Sequence, residues 1–343
     1  MKTASKIAFV LITTVVLVVA VGGFTIYFGA TRWRSPQDVE VVVETGTSLR
    51  GIARMLAEER VIGTPKLFEI IGRARGLGRK LRAGTYEFPA GSTMNEVMGM
   101  LSRGEVKQYA FTVIEGWTIT EIAAALEDQP YVTDPGMPQK FLSLANDREF
   151  AAAKGFGGAP TLEGYLFPDT YLVSKPLEAI DLIDRLTGRF TDVWRTLAEE
   201  GPEVKLGRDE VVTLASIVEK ETGEPSERPM IASVFLNRLQ RGMPLQSDPT
   251  IIYGLPNFDG NIRKKDISNP HRYNTYVHPG LPPGPICSPG KASLEAVLHP
   301  AHTDYLYFVS RGDGTHEFSA TLSEHLLAVK RYQLGGGKSA KAR

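Results

Sequence analysis

LASIVEKETGEPSERPMIASVFLN, residues Leu214–Asn237, sets two glutamates inside an otherwise apolar helical pattern. With Val211 at zero on a helical wheel, Leu214, Ala215 and Val218 form one stripe at the i, i+3, i+4, i+7 spacing of a buried face. Glu219 falls beside Ala215 and Val212, on one flank of that stripe. Glu221 falls on the other flank, roughly 160° away at about 100° per residue, and Lys220 points to the opposite, solvent side. A carboxyl held against apolar neighbours has its charged form disfavoured, which is how a glutamate stays protonated and serves as a general acid. The same letters also fit a solvated helix end carrying surface charges. This segment alone does not separate the two.

The residues after the glutamates give context. Gly223 and Pro225 end the helix. A second amphipathic helix is expected to start near Ser226, an N-cap type, with Pro229 tolerable in its first turn, and to stop at Gly242. Beyond it comes a polar, turn-rich segment: Gln246-Ser247-Asp248-Pro249-Thr250, Tyr253-Gly254, Tyr273-Asn274-Thr275-Tyr276 and Gly280 to Pro285. Its tyrosines, amides and prolines suit a binding surface built on loops. Tyrosine and amide side chains match sugars, which offer apolar ring faces and many hydroxyls. An ordinary loop region has the same turn residues.

The words LASIVEKET, ASVFLNRL, LQSDPTIIYG, YNTY and GLPPGPI, with the earlier LEGYLFPDTY (Leu162–Tyr171), occur in one order along about half the chain. Together they resemble the endolytic murein transglycosylases, the MltG or YceG-like family. The resemblance implies a lyase that cuts the glycan strands of peptidoglycan and leaves 1,6-anhydro-N-acetylmuramic acid ends. It places the catalytic acid/base on the first glutamate of the EKE word, Glu219. It implies no cofactor, and association with peptidoglycan synthases is expected at the family level.

One carboxyl suffices for such chemistry. Protonated Glu219 gives its proton to the glycosidic oxygen as the bond breaks. The resulting carboxylate takes the proton of the C6 hydroxyl of the same muramic acid, which attacks the anomeric carbon. A hydrolase needs a carboxyl pair, about 5–5.5 Å apart when retaining and about 6.5–9.5 Å when inverting. Glu163, Glu221 and Asp248 are the possible second carboxylates, so a two-carboxylate muramidase and a non-catalytic glycan-binding scaffold both stay open. As positioning groups, Glu221 is expected toward Arg228 or a loop amide, Asp248 at the turn of Pro249, and Glu163 anchoring its loop. Glu163, Glu221, Gln246, Ser247, Asp248, Asn274 and Tyr276 are the candidate substrate-binding residues.

The rest of the chain sets bounds. The 343 residues carry 39 basic and 39 acidic side chains, and no like-charge block suggests a nucleic-acid groove. The single cysteine, Cys287, excludes an internal disulfide. Six histidines include His299 and His302 in HPAH, but Pro300 disfavours a helical metal pair, so no metal site is expected. Ile7 to Ala30 contains no charged residue and exceeds the roughly 20 residues that span hydrocarbon. Phe28-Gly29-Ala30 is a poor cleavage site, so an uncleaved anchor is expected. Flanking charges nearly tie on orientation. The implied substrate places the catalytic part on the periplasmic side of the inner membrane.

A repeat lies beyond the apolar stretch. Gly46-x-Ser48-Leu49-x-x-Ile52-x-x-x-Leu56 recurs from Gly91 through Thr93, Met94 and Val97 to Leu101, and again from Gly116 through Thr118, Ile119 and Ile122 to Leu126. Strand-like residues precede two copies, Val41–Val43 and Phe111–Ile114. Each copy reads as a glycine turn, a hydroxyl N-cap and a short amphipathic helix. The pattern resembles the LysM-like unit that the family carries, for which a glycan-holding role and a purely positional one are both open. The expected fold is α+β: a cytoplasmic tail (1–6), a transmembrane helix (7–30), a LysM-like α+β module (39–127), a connector (128–160) with a helix Gln139–Ala145, an α+β catalytic domain (161–334) and a disordered tail (335–343). Within the catalytic part, helices are expected over Leu177–Glu200, with Gly188 as a weak point, and Leu322–Leu334. A strand pair is expected around Asp313-Gly314.

Overall fold

A computed structural model describes residues 2–256 and 258–334; the tail expected at 335–343 lies outside the described residues. The chain divides into two compact units. Unit 1 comprises Met1–Tyr109 and Leu172–Leu177, and unit 2 comprises Ala110–Tyr171 and Glu178–Arg343.

Unit 1 opens with helix α1 (Lys2–Arg32). Its stretch Phe9–Gly29 has a mean hydropathy of 2.6 and is exposed, long and apolar enough to cross a membrane. Next come β1 (Val39–Val43), α2 (Leu49–Glu58), α3 (Pro65–Ala74), β2 (Gly84–Phe88) and α4 (Met94–Arg103). Strands β1 and β2 pair antiparallel, Val39 against Phe88 through Val43 against Gly84. Val39, Val41 and Val43 alternate inward and pack with Tyr86, Phe88, Ile52, Leu56, Val97, Leu101 and Phe68. The repeat works as its residues dictate. Gly46 and Gly91 take φ of 82° and 83°, a left-handed turn that suits glycine. Ser48 then caps α2 by accepting the Gly51 N–H, and Thr93 and Glu96 form a capping box on α4.

The third copy has the same design: Gly116 at φ 80° and a Thr118–Glu121 capping box. Its helix, however, belongs to unit 2, because the units divide at Tyr109/Ala110. A strand precedes every copy; β2 before Gly91 went unread in the sequence.

Strands β3 (Gln108–Thr112) and β4 (Thr170–Ser174) pair with each other, and each has residues in both units; unit 2 otherwise runs through α5 (Ile119–Leu126), α6 (Met137–Ala145), α7 (Arg148–Ala153), α8 (Ala179–Glu199), α9 (Arg208–Glu221), α10 (Arg228–Gln240), α11 (Asp248–Tyr253), α12 (Lys264–Ile267), α13 (Lys291–Leu298), β5 (Tyr307–Ser310), β6 (His316–Ser319) and α14 (Leu322–Val329). Gly188 does not break α8. A π-helical stretch, Lys330–Leu334, follows α14. Helix α10 begins after a 3-10 turn, Pro225–Glu227, so Ser226 is not its cap. The Ser226 N–H is instead taken by the Glu224 side chain.

Helix α9 is the axis of this unit, packed by α10, α11 and α13. Every residue from Val211 to Val218 is buried. The stripe of Leu214, Ala215 and Val218 is buried as expected, but the burial is not one-sided: Thr213 and Ser216, off the stripe, lie inside as well. Their hydroxyls are satisfied locally, Thr213 donating to the Asp209 carbonyl and Ser216 to the Thr213 carbonyl.

Candidate active site

The last turn of α9 emerges from this packing and sends three consecutive side chains in three directions. Glu219 points at the start of α13. Its Oε2 accepts the Gly290 N–H at 2.9 Å and the Ser293 hydroxyl at 2.7 Å. Its Oε1 meets Arg228 Nη2 at 3.4 Å. The Glu219 side chain is 7% exposed and that of Arg228 11%. The apolar wall expected beside Glu219 is thus replaced by a cradle of donors from α10 and the start of α13. The physical reason is that buried carboxyls need partners, and two other elements supply them. Arg228, expected against Glu221, pairs with Glu219 instead.

Lys220 donates to the Gly116 carbonyl at 3.2 Å and lines a cavity of 610 Å³. This is the larger of the two cavities that the end of α9 reaches, and Glu219 lines neither. Glu163, Thr118, Tyr253, Tyr273 and His271 line it too. Glu163 is buried at its base. Its oxygens accept the Ile119 N–H at 3.1 and 3.3 Å, and Oε2 accepts the Tyr253 hydroxyl at 3.2 Å. Burial pushes its carboxyl up to about 8, against the pull of those bonds. Glu163 does anchor its loop, and what it anchors to is the N-terminus of α5.

Glu221 faces the second cavity, 420 Å³, with Gln246, Asp248, Tyr276 and Arg238. Its Oε1 accepts the Ser247 hydroxyl. Burial raises Glu221 to about 7; the Ser247 bond and Arg238 pull it down, and Asp248 adds to the rise. Asp248 does not cap the Pro249 turn; it accepts the Tyr276 hydroxyl at 2.6 Å. Gln246 is exposed with φ 50°, a left-handed conformation that a non-glycine residue holds only under constraint. Of the expected sugar contacts, Gln246, Asp248 and Tyr276 gather here with Glu221, and Ser247 is buried behind them. Asn274 is not available: it is 1% exposed, and its amide donates to the carbonyls of Asp266, Ile267 and Asn269.

Glu115, in the loop between β3 and α5, was not read as a site residue. Its Oε1 fills the space where a Gly290 Cβ would stand, so the carboxyl rests on the backbone whose N–H holds Glu219. Partial burial and then the charge of Glu219 raise Glu115, while Arg228 opposes the rise. Arg228 Nε is buried without a hydrogen-bond partner among the described residues. Cys287 is buried, its thiol raised by burial, with Sγ 3.3 Å from the Ser216 carbonyl.

The profile of the YceG-like family matches residues 41–331, which takes in both units and every residue of this site. The chain belongs to the YceG-like family. Among its relatives, the Endolytic murein transglycosylase of Bacillus subtilis (strain 168) is 34% identical over 314 residues, 87% of this chain and 86% of that protein. A protein of the same name from Streptococcus pneumoniae is 27% identical over 304 residues; the match covers 80% of this chain and 55% of that longer one. A crystal structure of a yceG-like protein from Listeria monocytogenes superposes with a TM-score of 0.56 at 30% identity, over 86% of this chain and all of that one. The α+β character read from the sequence agrees with this likeness.

Proposed function

We propose that this YceG-like chain is a membrane-anchored endolytic lytic transglycosylase. It cleaves the bond from N-acetylmuramic acid to N-acetylglucosamine within peptidoglycan strands and leaves 1,6-anhydro ends. Glu219 is its proton-transfer group. The observation that carries this reading is the uneven hold on the Glu219 carboxyl: Oε2 is fixed by two short bonds, while Oε1 has, among the described residues, only the long contact to Arg228. Oε1 is then the oxygen free to hand a proton to the glycosidic oxygen and to take one from the C6 hydroxyl. Arg228 and the donors at the start of α13 stabilise the carboxylate between those two transfers. Because the attacking hydroxyl belongs to the substrate, no activated water is required. The likeness to the Bacillus subtilis murein transglycosylase supports the substrate and the reaction class.

In this reading the glycan passes the end of α9, with sugars taken by the cavities that Lys220 and Glu221 line. Tyr253 and Tyr273 suit a pyranose face, and Gln246, Asp248 and Tyr276 suit its hydroxyls. Helix α1 anchors the chain in the inner membrane with unit 2 on the periplasmic side, where peptidoglycan lies. The paired strands and capped helices of unit 1 form a LysM-like module that holds or positions the strand. The test is the cleavage rate of full-length Glu219→Gln in detergent, on isolated glycan strands. The expected loss is about 10²–10⁴-fold with the fold intact. Normal cleavage by this variant overturns the assignment.

A further inference from the structure

The 420 Å³ cavity that Glu221 faces has a charged floor with no part in the proton transfers. Gln246 and Asp248 are exposed at its rim. Arg238 lies at its floor, 8% exposed, with the buried side chains of Leu245 and Val309. An arginine keeps its charge, and a buried charge is costly unless it is paired. Among the described residues Arg238 forms no ion pair. Its Nε donates to the Leu306 carbonyl at 2.6 Å, and its Nη1 to the Leu245 carbonyl at 2.7 Å and the Pro244 carbonyl at 3.4 Å. These bonds fix the guanidinium and leave Nη2 without a partner among the described residues. The Tyr307 ring holds the guanidinium from another side, with Cζ 5.3 Å from its centroid. His325, also lining the cavity, stacks on Tyr307 at 5.1 Å, and its Nδ1 is buried without a hydrogen-bond partner among the described residues. The acids nearby are engaged: Glu221 takes the Ser247 hydroxyl, Asp248 the Tyr276 hydroxyl, and Glu227 the ring of His316. Burial lowers Arg238 against the opposing pull of Tyr307, Tyr276 and Glu221, so its charge is incompletely offset.

We propose that this floor binds a carboxylate carried by the glycan strand, in the form CH(CH₃)–COO⁻. That group ends a stem peptide that finishes in alanine, and it is also the lactyl group of a muramic acid stripped of its peptide. Arg238 Nη2 takes the carboxylate, while Leu245, Val309 and Phe308 offer the methyl an apolar wall. A doubly charged phosphate fits worse, because Glu221 and Asp248 border the same cavity. The rim residues remain for the hydroxyls of the sugar that bears the group. This inference rests on the reading of the chain as a peptidoglycan enzyme, and it gives the strand a second hold, apart from Glu219.

The experiment is saturation-transfer NMR of small probes titrated against the full-length protein in detergent. Two pairs of probes each differ in the carboxylate group: N-acetyl-D-alanine against its carboxamide, and N-acetylmuramic acid against N-acetylglucosamine. The carboxylate member of at least one pair is expected to bind about tenfold tighter than its partner, and Arg238→Gln should abolish that preference. A preference within the alanine pair marks the stem peptide as the source of the group, and one within the sugar pair marks the bare lactyl group. No preference in either pair overturns the proposal. So does a preference that survives Arg238→Gln, or one lost in Lys220→Gln, at the other cavity, and kept in Arg238→Gln. If thermal melting shows that Arg238→Gln does not fold, Val329→Trp decides, since it fills the same cavity from α14: lost binding supports the site and retained binding overturns it. None of the probes has a bond to cleave, so the result does not depend on Glu219. If Glu219→Gln cleaves strands normally, the assignment of the acid/base has failed instead.

Discussion

Glu163→Gln is expected to stabilise unit 2 relative to wild type as pH rises. Glu163 is 3% exposed, and burial raises it to about 8. In an unfolded chain the same group titrates near 4.3. Between those values the native state keeps a proton that the unfolded state releases, so wild-type stability falls with rising pH, by about 1.4 kcal/mol per unit. From pH 5 to pH 8 this comes to about 4 kcal/mol. Glutamine is neutral throughout and lacks that slope. Its amide oxygen still accepts the Ile119 N–H, and the Tyr253 hydroxyl can rotate to accept from its NH₂. Glu221, raised to about 7, contributes a slope of the same sign to both proteins and cancels in the comparison. The assay is thermal unfolding of the full-length chain in detergent at pH 5 and pH 8. The gap between variant and wild type should grow in favour of the variant by an amount on the order of 10 °C. A gap that stays constant, or one that favours wild type at pH 8, refutes the reasoning that burial keeps Glu163 neutral.

Three other substitutions probe the site. Ser293→Ala removes one of the two short bonds to Glu219 Oε2; the cleavage rate should fall about 10-fold with little change in KM, and a pure KM effect would argue that Ser293 binds sugar. Asn274→Ala removes the buried amide that donates to the Ile267 and Asn269 carbonyls and shares the Asp266 carbonyl with a backbone N–H, so it should cost about 1–3 kcal/mol of stability; a selective rise in KM with an unchanged melting temperature would restore Asn274 as a sugar contact. Glu221→Gln should slow cleavage less than Glu219→Gln, because its carboxyl faces a different cavity from the one direction in which Glu219 is held; the reverse order would move the acid/base role to Glu221.

The local devices of this fold were legible because they depend on neighbours in sequence. Each Gly-x-Ser/Thr word fixes a left-handed turn and a cap within a few residues, and Gly223 with Pro225 stops α9 where the pattern stops. What could not be read is whatever other segments contribute. The helical wheel gave α9 a wet side, but α10, α11 and α13, with the segments around Gly164 and Ile286, leave no residue from Val211 to Val218 exposed. The same distance in sequence hid the donors of Glu219, since Gly290 and Ser293 belong to the start of α13. Asn274 looked like a ligand contact because polar residues in turns often are. In a buried turn, however, backbone carbonyls must be satisfied first, and Asn274 serves them. Glu115 was passed over as the residue before a turn glycine. Its place against Gly290, which lacks a Cβ, shows only in the fold.

The reaction class is tested most directly by mass spectrometry of the chain ends released from isolated glycan strands by the full-length protein. Attack by the C6 hydroxyl with Glu219 as the sole proton carrier gives 1,6-anhydro-N-acetylmuramic acid ends and no incorporation of solvent oxygen, and these ends should vanish in Glu219→Gln. Reducing ends carrying oxygen from labelled water would contradict this and mark a two-carboxylate hydrolase, and intact strands would mark a scaffold that binds glycan without cutting it.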